Sequence, residues 1–154
     1  MAKNEKRKQA KYERLREIDQ GRLDSAAERL RQANNAVEIA KRKLDETRRE
    51  REEVVRAESH AADIGQRVQT GIWLDWARIY EEQLISELNS LQTIRQQALD
   101  EYHNWKKRVK GWETLLEKVS LTVSRLEARS DQMMADEFAV RKMNGNANET
   151  LANH

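Results

Sequence analysis

The sequence predicts an all-α protein, a long antiparallel two-helix coiled-coil hairpin, and three observations support this prediction. The 154 residues include no proline and only five glycines, so few residues interrupt a helix. Apolar residues recur every three or four positions over most of the chain, as they do along one face of a helix. Charged residues make up 36% of the chain and the mean hydropathy is -1.00, which suits an elongated helical pair with most side chains in water.

The first predicted helix covers residues 4–58 and carries a regular seam. Leu15 and Ile18 lie out of phase with this seam and Gly21 follows them, so we expect a kink, fraying or a change of register there. Alanines at alternate positions leave room for a bulky partner helix. The seam positions alternate in steps of three and four, as in a heptad repeat, and are Leu23, Ala26, Leu30, Ala33, Val37, Ala40, Leu44, Thr47, Arg51 and Val54.

The chain is expected to reverse between residues 59 and 71. This stretch loses the seam and contains two of the five glycines, and Thr70 is the expected cap of the next helix. The second helix is predicted over residues 72–141. Residues 143–154 have little helix propensity and are expected to form a disordered tail, so residues 1–142 make a single hairpin domain.

The second predicted helix carries the bulky side of the seam and is longer than the first, so it overhangs its partner. Placing Ile94 in the seam gives steps of three, four, four and three between Leu91 and Trp105, which predicts little supercoiling there. The predicted positions are Ala77, Tyr80, Leu84, Leu91, Ile94, Ala98, Tyr102, Trp105, Val109, Trp112, Leu116, Val119, Val123, Leu126 and Met133.

Composition excludes several classes of protein. The 29 Lys and Arg residues nearly balance 27 Asp and Glu, so no global field drives binding to nucleic acid or anionic membranes, and local surfaces must select partners. The absence of cysteine excludes disulfides and thiolate chemistry, which fits a reducing cytoplasm. We expect neither a signal peptide nor a membrane span, because no long uncharged apolar run occurs.

Catalysis is not expected of this chain. Adjacent carboxylates such as Glu52 with Glu53 and Glu81 with Glu82 follow from the high charge content and should stay solvated. No glycine-rich phosphate loop is visible, and we expect no cofactor and no metal. The three histidines are not spaced as metal ligands and are His60, His103 and His154.

The basic N-terminal run from Lys3 to Lys11 resembles an arm that contacts phosphate. Glu5, Glu13 and Glu17 interleave with or follow these cations, so we favour a solvated helix face and expect no nucleic-acid partner.

Two apolar clusters are candidates for contacts with other proteins. Ile72, Trp73, Trp76, Ile79 and Tyr80 are too many for one seam, so they either cover the turn or dock a partner. Trp105 and Trp112 lie seven residues apart and are expected in the core.

The second cluster follows Leu126 and includes Met133, Met134 and Phe138. It either binds a changing surface or folds back, with Phe138 on Tyr12 and Leu15.

The residues from about 73 to 142 resemble the FliJ group of flagellar type III export proteins, which shares its architecture with the YscO group of injectisomes. The resemblance is carried by "ALDEYHNWKKRVKGWETL" and by the ending "MADEFAVRK". It implies a non-enzymatic central stalk whose paired helix ends enter a hexameric export ATPase, with further contacts to the cytoplasmic domain of the export gate and to export chaperones. It also implies a cytoplasmic protein, peripheral to the inner membrane at the export apparatus, without direct membrane insertion.

The resemblance assigns candidate residues to two contacts. On the first helix, Lys43, Glu46 and Glu50 stand where the family is expected to have tyrosines in the gate surface. Ring contact is implied for Leu15, Ile18, Leu126, Met133, Met134, Asp136, Glu137 and Phe138, and gate contact for Trp73, Trp76, Ile79, Tyr80 and Leu84.

The competing interpretation is a general coiled-coil scaffold or a homodimeric adaptor, whose seam binds a second copy. The position of residue 30 discriminates between them. In a hairpin it lies near residues 105–110 of the same molecule, whereas one continuous helix separates them by about 110 Å.

Overall fold

The structure of the protein, a computed structural model, is a hairpin of two long α-helices. It describes residues 2–58, 60 and 63–152, with side-chain surroundings as far as residue 148. Helix α1 comprises Ala2–Glu58 (57 residues) and helix α2 comprises Ile64–Ala152 (89 residues). The helices pack against each other, and these described ranges contain no strand. The predicted all-α antiparallel hairpin is confirmed.

Helix α2 begins at Ile64, well before the predicted start at residue 72. Asp63 supplies the cap, because its Oδ1 accepts a hydrogen bond from the Gly65 N–H at 3.0 Å. Thr70 is not a cap. Its hydroxyl donates to the Gln66 carbonyl at 2.8 Å inside the helix.

The chain therefore reverses within a shorter segment than predicted. His60 lies in a turn and donates its N–H to the Ala57 carbonyl at 3.1 Å, while residues 59, 61 and 62 lie outside the described part. The prediction of a turn is wrong from residue 64 onward. A glycine weakens a helix by only about 1 kcal/mol, and neither Gly65 nor Gly71 has a positive φ angle.

Helix α2 also extends to Ala152, past its predicted end at residue 141. The predicted disordered tail is wrong as far as Ala152, and the last two residues lie outside the described part. Asparagine and glycine each weaken a helix by no more than about 1 kcal/mol, and no proline removes a hydrogen bond. An existing helix propagates through such residues because each one adds a backbone hydrogen bond.

The chain packs as two compact units. The first combines the part of α1 up to Gly21 with α2 from Lys107 on, and the second comprises Arg22–Lys106. The first unit holds the free end of the hairpin, and the second holds the reversal. A single domain over residues 1–142 stays a prediction.

Contacts within each unit show the antiparallel pairing. In the second unit Arg29 pairs with Glu101 at 2.6 Å, and Arg51 pairs with Glu81 at 2.8 Å. In the first unit the Lys6 Nζ lies 2.8 Å from Glu127. As the α1 partner advances along the chain within the second unit, the α2 partner recedes.

The seam predicted for α1 is confirmed at its ten positions, which are buried or half-buried. The helix passes Gly21 without a break, and the burial pattern continues upstream through Tyr12 and Asp19. The expected fraying at Gly21 is therefore wrong. Leu15 is half-buried beside this seam, and Ile18 is 49% exposed.

The seam of α2 was predicted correctly except at three positions. Tyr80 is half-buried beside the seam, and buried Glu81 occupies the seam position that was expected for Tyr80. Ile94 is 52% exposed, and Arg95 occupies the half-buried position beside it. Met133 is exposed. With Glu81 and Arg95 in the seam, and with half-buried Leu88, which the prediction lacks, the steps alternate strictly between four and three from Ala77 to Leu126. The predicted relaxation of the supercoil is therefore wrong.

Candidate partner-binding surfaces

A polar layer holds the helices together near the free end, in the first unit. Asp19 is only 3% exposed, and its Oδ2 accepts hydrogen bonds from Trp112 Nε1 at 2.7 Å and Arg108 Nε at 3.2 Å. The Tyr12 ring lies 5.9 Å from the Trp112 ring. Two donors from α2 thus satisfy one buried carboxylate of α1, which favours a single register. Trp112 lies in the seam, as predicted.

A second polar layer lies in the second unit. Glu81 is 6% exposed, so the prediction that this carboxylate stays solvated is wrong. Arg51 donates to Glu81 Oε2 at 2.8 Å, whereas Glu81 Oε1 has no hydrogen-bond partner. The heptad spacing puts Glu81 between Ala77 and Leu84, both buried, and so forces the charge into the seam.

The residues implied for ring contact divide into those beside the seam near the free end and those on the C-terminal part of α2. Leu15 and Leu126 are half-buried, and Ile18 is exposed on α1. The remainder lie on the C-terminal part of α2, where every described side chain from residue 127 to 148 is exposed. Met133, Met134 and Phe138 are 65%, 66% and 69% exposed. The alternative in which Phe138 packs on Tyr12 is wrong, because Tyr12 packs on Trp112 instead.

A shallow groove of about 670 Å³ joins the start of α1 to this part of α2. Ala2 and Lys3 line it from α1, and Leu126, Met133 and Met134 are among the residues that line it from α2. The structure therefore brings Leu126, Met133, Met134 and Glu137 together, while Phe138 lies outside the groove.

The residues implied for gate contact lie in the second unit and differ in exposure. Trp76 and Ile79 are 57% and 50% exposed, and the Trp76 ring stacks on Tyr80 with 5.3 Å between centroids. Trp73 and Tyr80 are half-buried. Leu84 is 3% exposed and belongs to the seam, so it supports this surface from below.

Sequence reasoning missed part of the same surface. Ile64 and Val68 are 78% and 58% exposed, and their spacing aligns them with Ile72, Trp76 and Ile79 along one face of α2. They were assigned to the turn because of the neighbouring glycines. The available signal was Asp63, which caps a helix that begins one residue later.

The described residues contain no group of three or more His, Asp or Glu side chains placed to hold a metal. His60 and His103 are exposed, and His154 lies outside the described part. None of the described helices is long and apolar enough to cross a membrane. The exposed features are surfaces rather than enclosed cavities, and such surfaces bind other macromolecules.

The fold places this chain in the class of all-α helical hairpins, with exposed apolar surfaces on α2. A family model described as "Flagellar FliJ protein" matches residues 7–148. The chain therefore belongs to the FliJ family, which makes it a flagellar export-related protein, and the family is a non-enzymatic component of export. The match covers most of α1 as well as α2. No curated protein and no solved structure matches the chain.

Proposed function

We propose that this protein is the non-enzymatic central stalk of a type III export ATPase complex. It promotes assembly and activity of the hexameric ATPase ring and links the ring to the export gate and to substrate chaperones. In this role it is cytoplasmic and peripheral to the inner membrane. The observation that carries the proposal is the C-terminal part of α2, where apolar side chains stay exposed because α1 does not cover the described residues from 127 to 148.

The ring contact requires an apolar surface that remains free in the isolated protein. Met133, Met134 and Phe138 meet this requirement, because each is about two-thirds exposed. Methionine adapts to surfaces of different shape, which suits a partner that changes conformation during its cycle. Leu126 and Leu15 are half-buried and support this end of the hairpin, whereas Ile18, Asp136 and Glu137 are exposed and able to contact the ring directly.

The stalk acts through asymmetry. A single helix end inside a six-fold ring cannot contact all six subunits in the same way. It therefore binds some subunit conformations more tightly than others and shifts the population of nucleotide-binding states. No nucleotide site on the stalk is needed for this effect.

The gate and chaperone contacts are assigned to the second unit. Trp76 and Ile79 supply exposed apolar area, with Tyr80 stacked against Trp76. Lys43, Glu46 and Glu50 are exposed on α1, so the α1 part of this surface is charged rather than aromatic. Salt should therefore weaken the gate contact if α1 takes part in it.

The test measures ATP hydrolysis by the purified cognate export ATPase against increasing concentrations of this protein. The wild type is expected to raise the rate and the hexamer fraction. Met134→Ser with Phe138→Ser removes two exposed apolar contacts, and we expect half-maximal stimulation to need at least about tenfold more protein.

Leu121→Ser provides the control. Leu121 is 52% exposed on the same helix but outside the implied ring contact, and its substitution should leave stimulation unchanged. The stalk proposal fails if wild-type protein changes neither the hydrolysis rate nor the oligomeric state of the ATPase.

A general coiled-coil scaffold or a homodimeric adaptor is the weaker alternative. The seam of a homodimeric adaptor would bind a second copy, whereas here seam residues such as Ala26, Val37 and Ala77 are already buried within one chain.

A further inference from the structure

The first unit has one strongly basic side. Residues three and four apart share a face of a helix, and this spacing collects basic residues from both helices. All of them are exposed, and the glutamates of the same two stretches fall at helical positions on another face, namely Glu13, Glu17, Glu113, Glu117 and Glu127. We call this set the basic face; it consists of Arg7, Lys8, Lys11, Arg14, Lys107, Arg108, Lys118, Arg125 and Arg129.

Several acidic residues of the same unit lie on the opposite side. Glu13 and Glu17 of α1 line one groove together with Glu117 of α2. Glu127 also faces this way, where it pairs with Lys6 at 2.8 Å. Two of the glutamates that interleave with the N-terminal cations in the sequence, Glu13 and Glu17, therefore lie away from the basic face, whereas Glu5 lies beside Lys8.

Most of the basic face is unpaired. Arg108 pairs with Asp19, and Lys8 lies 3.5 Å from Glu5. Within the described part of the chain the other seven cations form no ion pair, so their charges are available to an external anion.

Apolar side chains lie within the basic face. Ile18 and Leu115 are 49% and 39% exposed. A groove of about 470 Å³ opens between Arg108 and Leu115, because Gly111 has no side chain and nothing lies within 4 Å of where its Cβ would be. Cations surrounding a few exposed aliphatic side chains are typical of helices that lie on anionic lipid.

We propose that the basic face docks this protein on the surface of an anionic lipid bilayer. The face on α2 runs from residue 107 to 129, about 33 Å along the helix. A planar surface contacts the whole length at once and leaves the acidic side in water. The hydrocarbon region is not crossed, since only Ile18 and Leu115 reach the headgroup layer.

Duplex nucleic acid fits this face less well. Two adjacent helices are about 20 Å wide, whereas the major groove is about 12 Å wide. Tyr12 and Trp112, the nearest rings, pack on each other and are not free to stack on unpaired bases.

The experiment is co-sedimentation of the full chain with vesicles of phosphatidylglycerol and phosphatidylethanolamine, compared with phosphatidylcholine vesicles. We expect binding to the anionic vesicles only, with a steep loss as salt is raised. Each cation near such a surface contributes about fivefold in affinity, so Lys118→Gln with Arg125→Gln should weaken binding about 25-fold. Both residues are exposed and unpaired, so the fold is retained, which circular dichroism checks.

Arg16→Gln with Lys110→Gln is the matched control, because Arg16 lines the acidic groove with Glu13 and Glu17. It removes the same charge but from exposed residues outside the basic face, and should weaken binding no more than about threefold. Equal losses in the two variants, or equal binding to phosphatidylcholine, overturn the proposal. Tighter binding to duplex DNA than to anionic vesicles at equal phosphate also overturns it, in favour of a nucleic-acid surface. No ATPase is present, so the outcome is independent of the stalk proposal.

Discussion

At the scale of single residues, the hairpin depends on carboxylates that the seam has to satisfy. Asp19 and Glu81 both occupy seam positions that are usually apolar, and they are 3% and 6% exposed. A buried carboxylate without partners is strongly unfavourable, so each one restricts the pairing to registers that bring it a donor. These two residues therefore contribute to the choice of register more than to net stability.

Removing one donor from Asp19 tests this view. Trp112→Phe keeps an aromatic side chain but deletes the Nε1 hydrogen bond of 2.7 Å together with part of the indole. It should lower the free energy of unfolding by about 1–3 kcal/mol in urea denaturation. Trp76→Phe, at a 57% exposed tryptophan, should change it by less than about 0.5 kcal/mol. If both substitutions have the same effect, the bond to Asp19 has no special role.

The Arg51–Glu81 layer predicts that a second substitution rescues the first. Arg51→Met leaves Glu81 buried without the one partner it has among the described residues. It should destabilise the hairpin by about 1–3 kcal/mol, because Arg51 itself is 39% exposed and partly screened. Adding Glu81→Leu should restore wild-type stability or exceed it, since an apolar pair fills the seam. A double variant less stable than Arg51→Met would show that the ion pair itself stabilises the fold.

At the scale of helices, the sequence predicted what periodicity controls and missed what local hydrogen bonds control. The α1 seam follows from spacing alone, because alanine and leucine recur without a competing apolar stripe. On α2, Ile94 competes with Arg95 for one position, and hydrophobicity favoured the wrong residue. The start of α2 is marked by hydrogen bonds from the Gly65 and Arg67 N–H groups to Asp63, which no periodicity reveals. Likewise, the basic face is recognised only when the helical spacing places neighbouring basic and acidic residues on different sides of each helix.

The corrected seam makes a testable distinction between neighbouring residues. Leu91 is half-buried in the seam and Ile94 is 52% exposed beside it. Leu91→Ala should therefore destabilise the protein by about 1–3 kcal/mol, whereas Ile94→Ala should stay within about 0.5 kcal/mol of wild type. Thermal unfolding of the two variants measures the difference. If Ile94→Ala destabilised the protein more than Leu91→Ala, Ile94 would belong to the seam and the heptad repeat would be interrupted there.

At the scale of the whole molecule, the two helices differ in length by 32 residues, and the excess belongs mainly to the C-terminal part of α2. Every described side chain from 127 to 148 is exposed, so this part adds little to the hairpin's own stability. Its exposed apolar residues instead form a surface for a partner. The part of α2 that packs on α1 thus provides stability, and the part after residue 126 is proposed to bind the partner.

A chain that ends after Gln132 tests whether stability and the proposed function depend on different parts of α2. The truncated protein keeps the whole seam, so its free energy of unfolding should change by less than about 1 kcal/mol. It lacks Met133, Met134 and Phe138, so it should no longer stimulate the cognate export ATPase. Loss of stability on truncation would mean that the C-terminal part of α2 packs on the hairpin in solution. Full stimulation by the truncated chain would move the ring contact to Leu15, Ile18 and Leu126, because those are the implied contact residues that it retains.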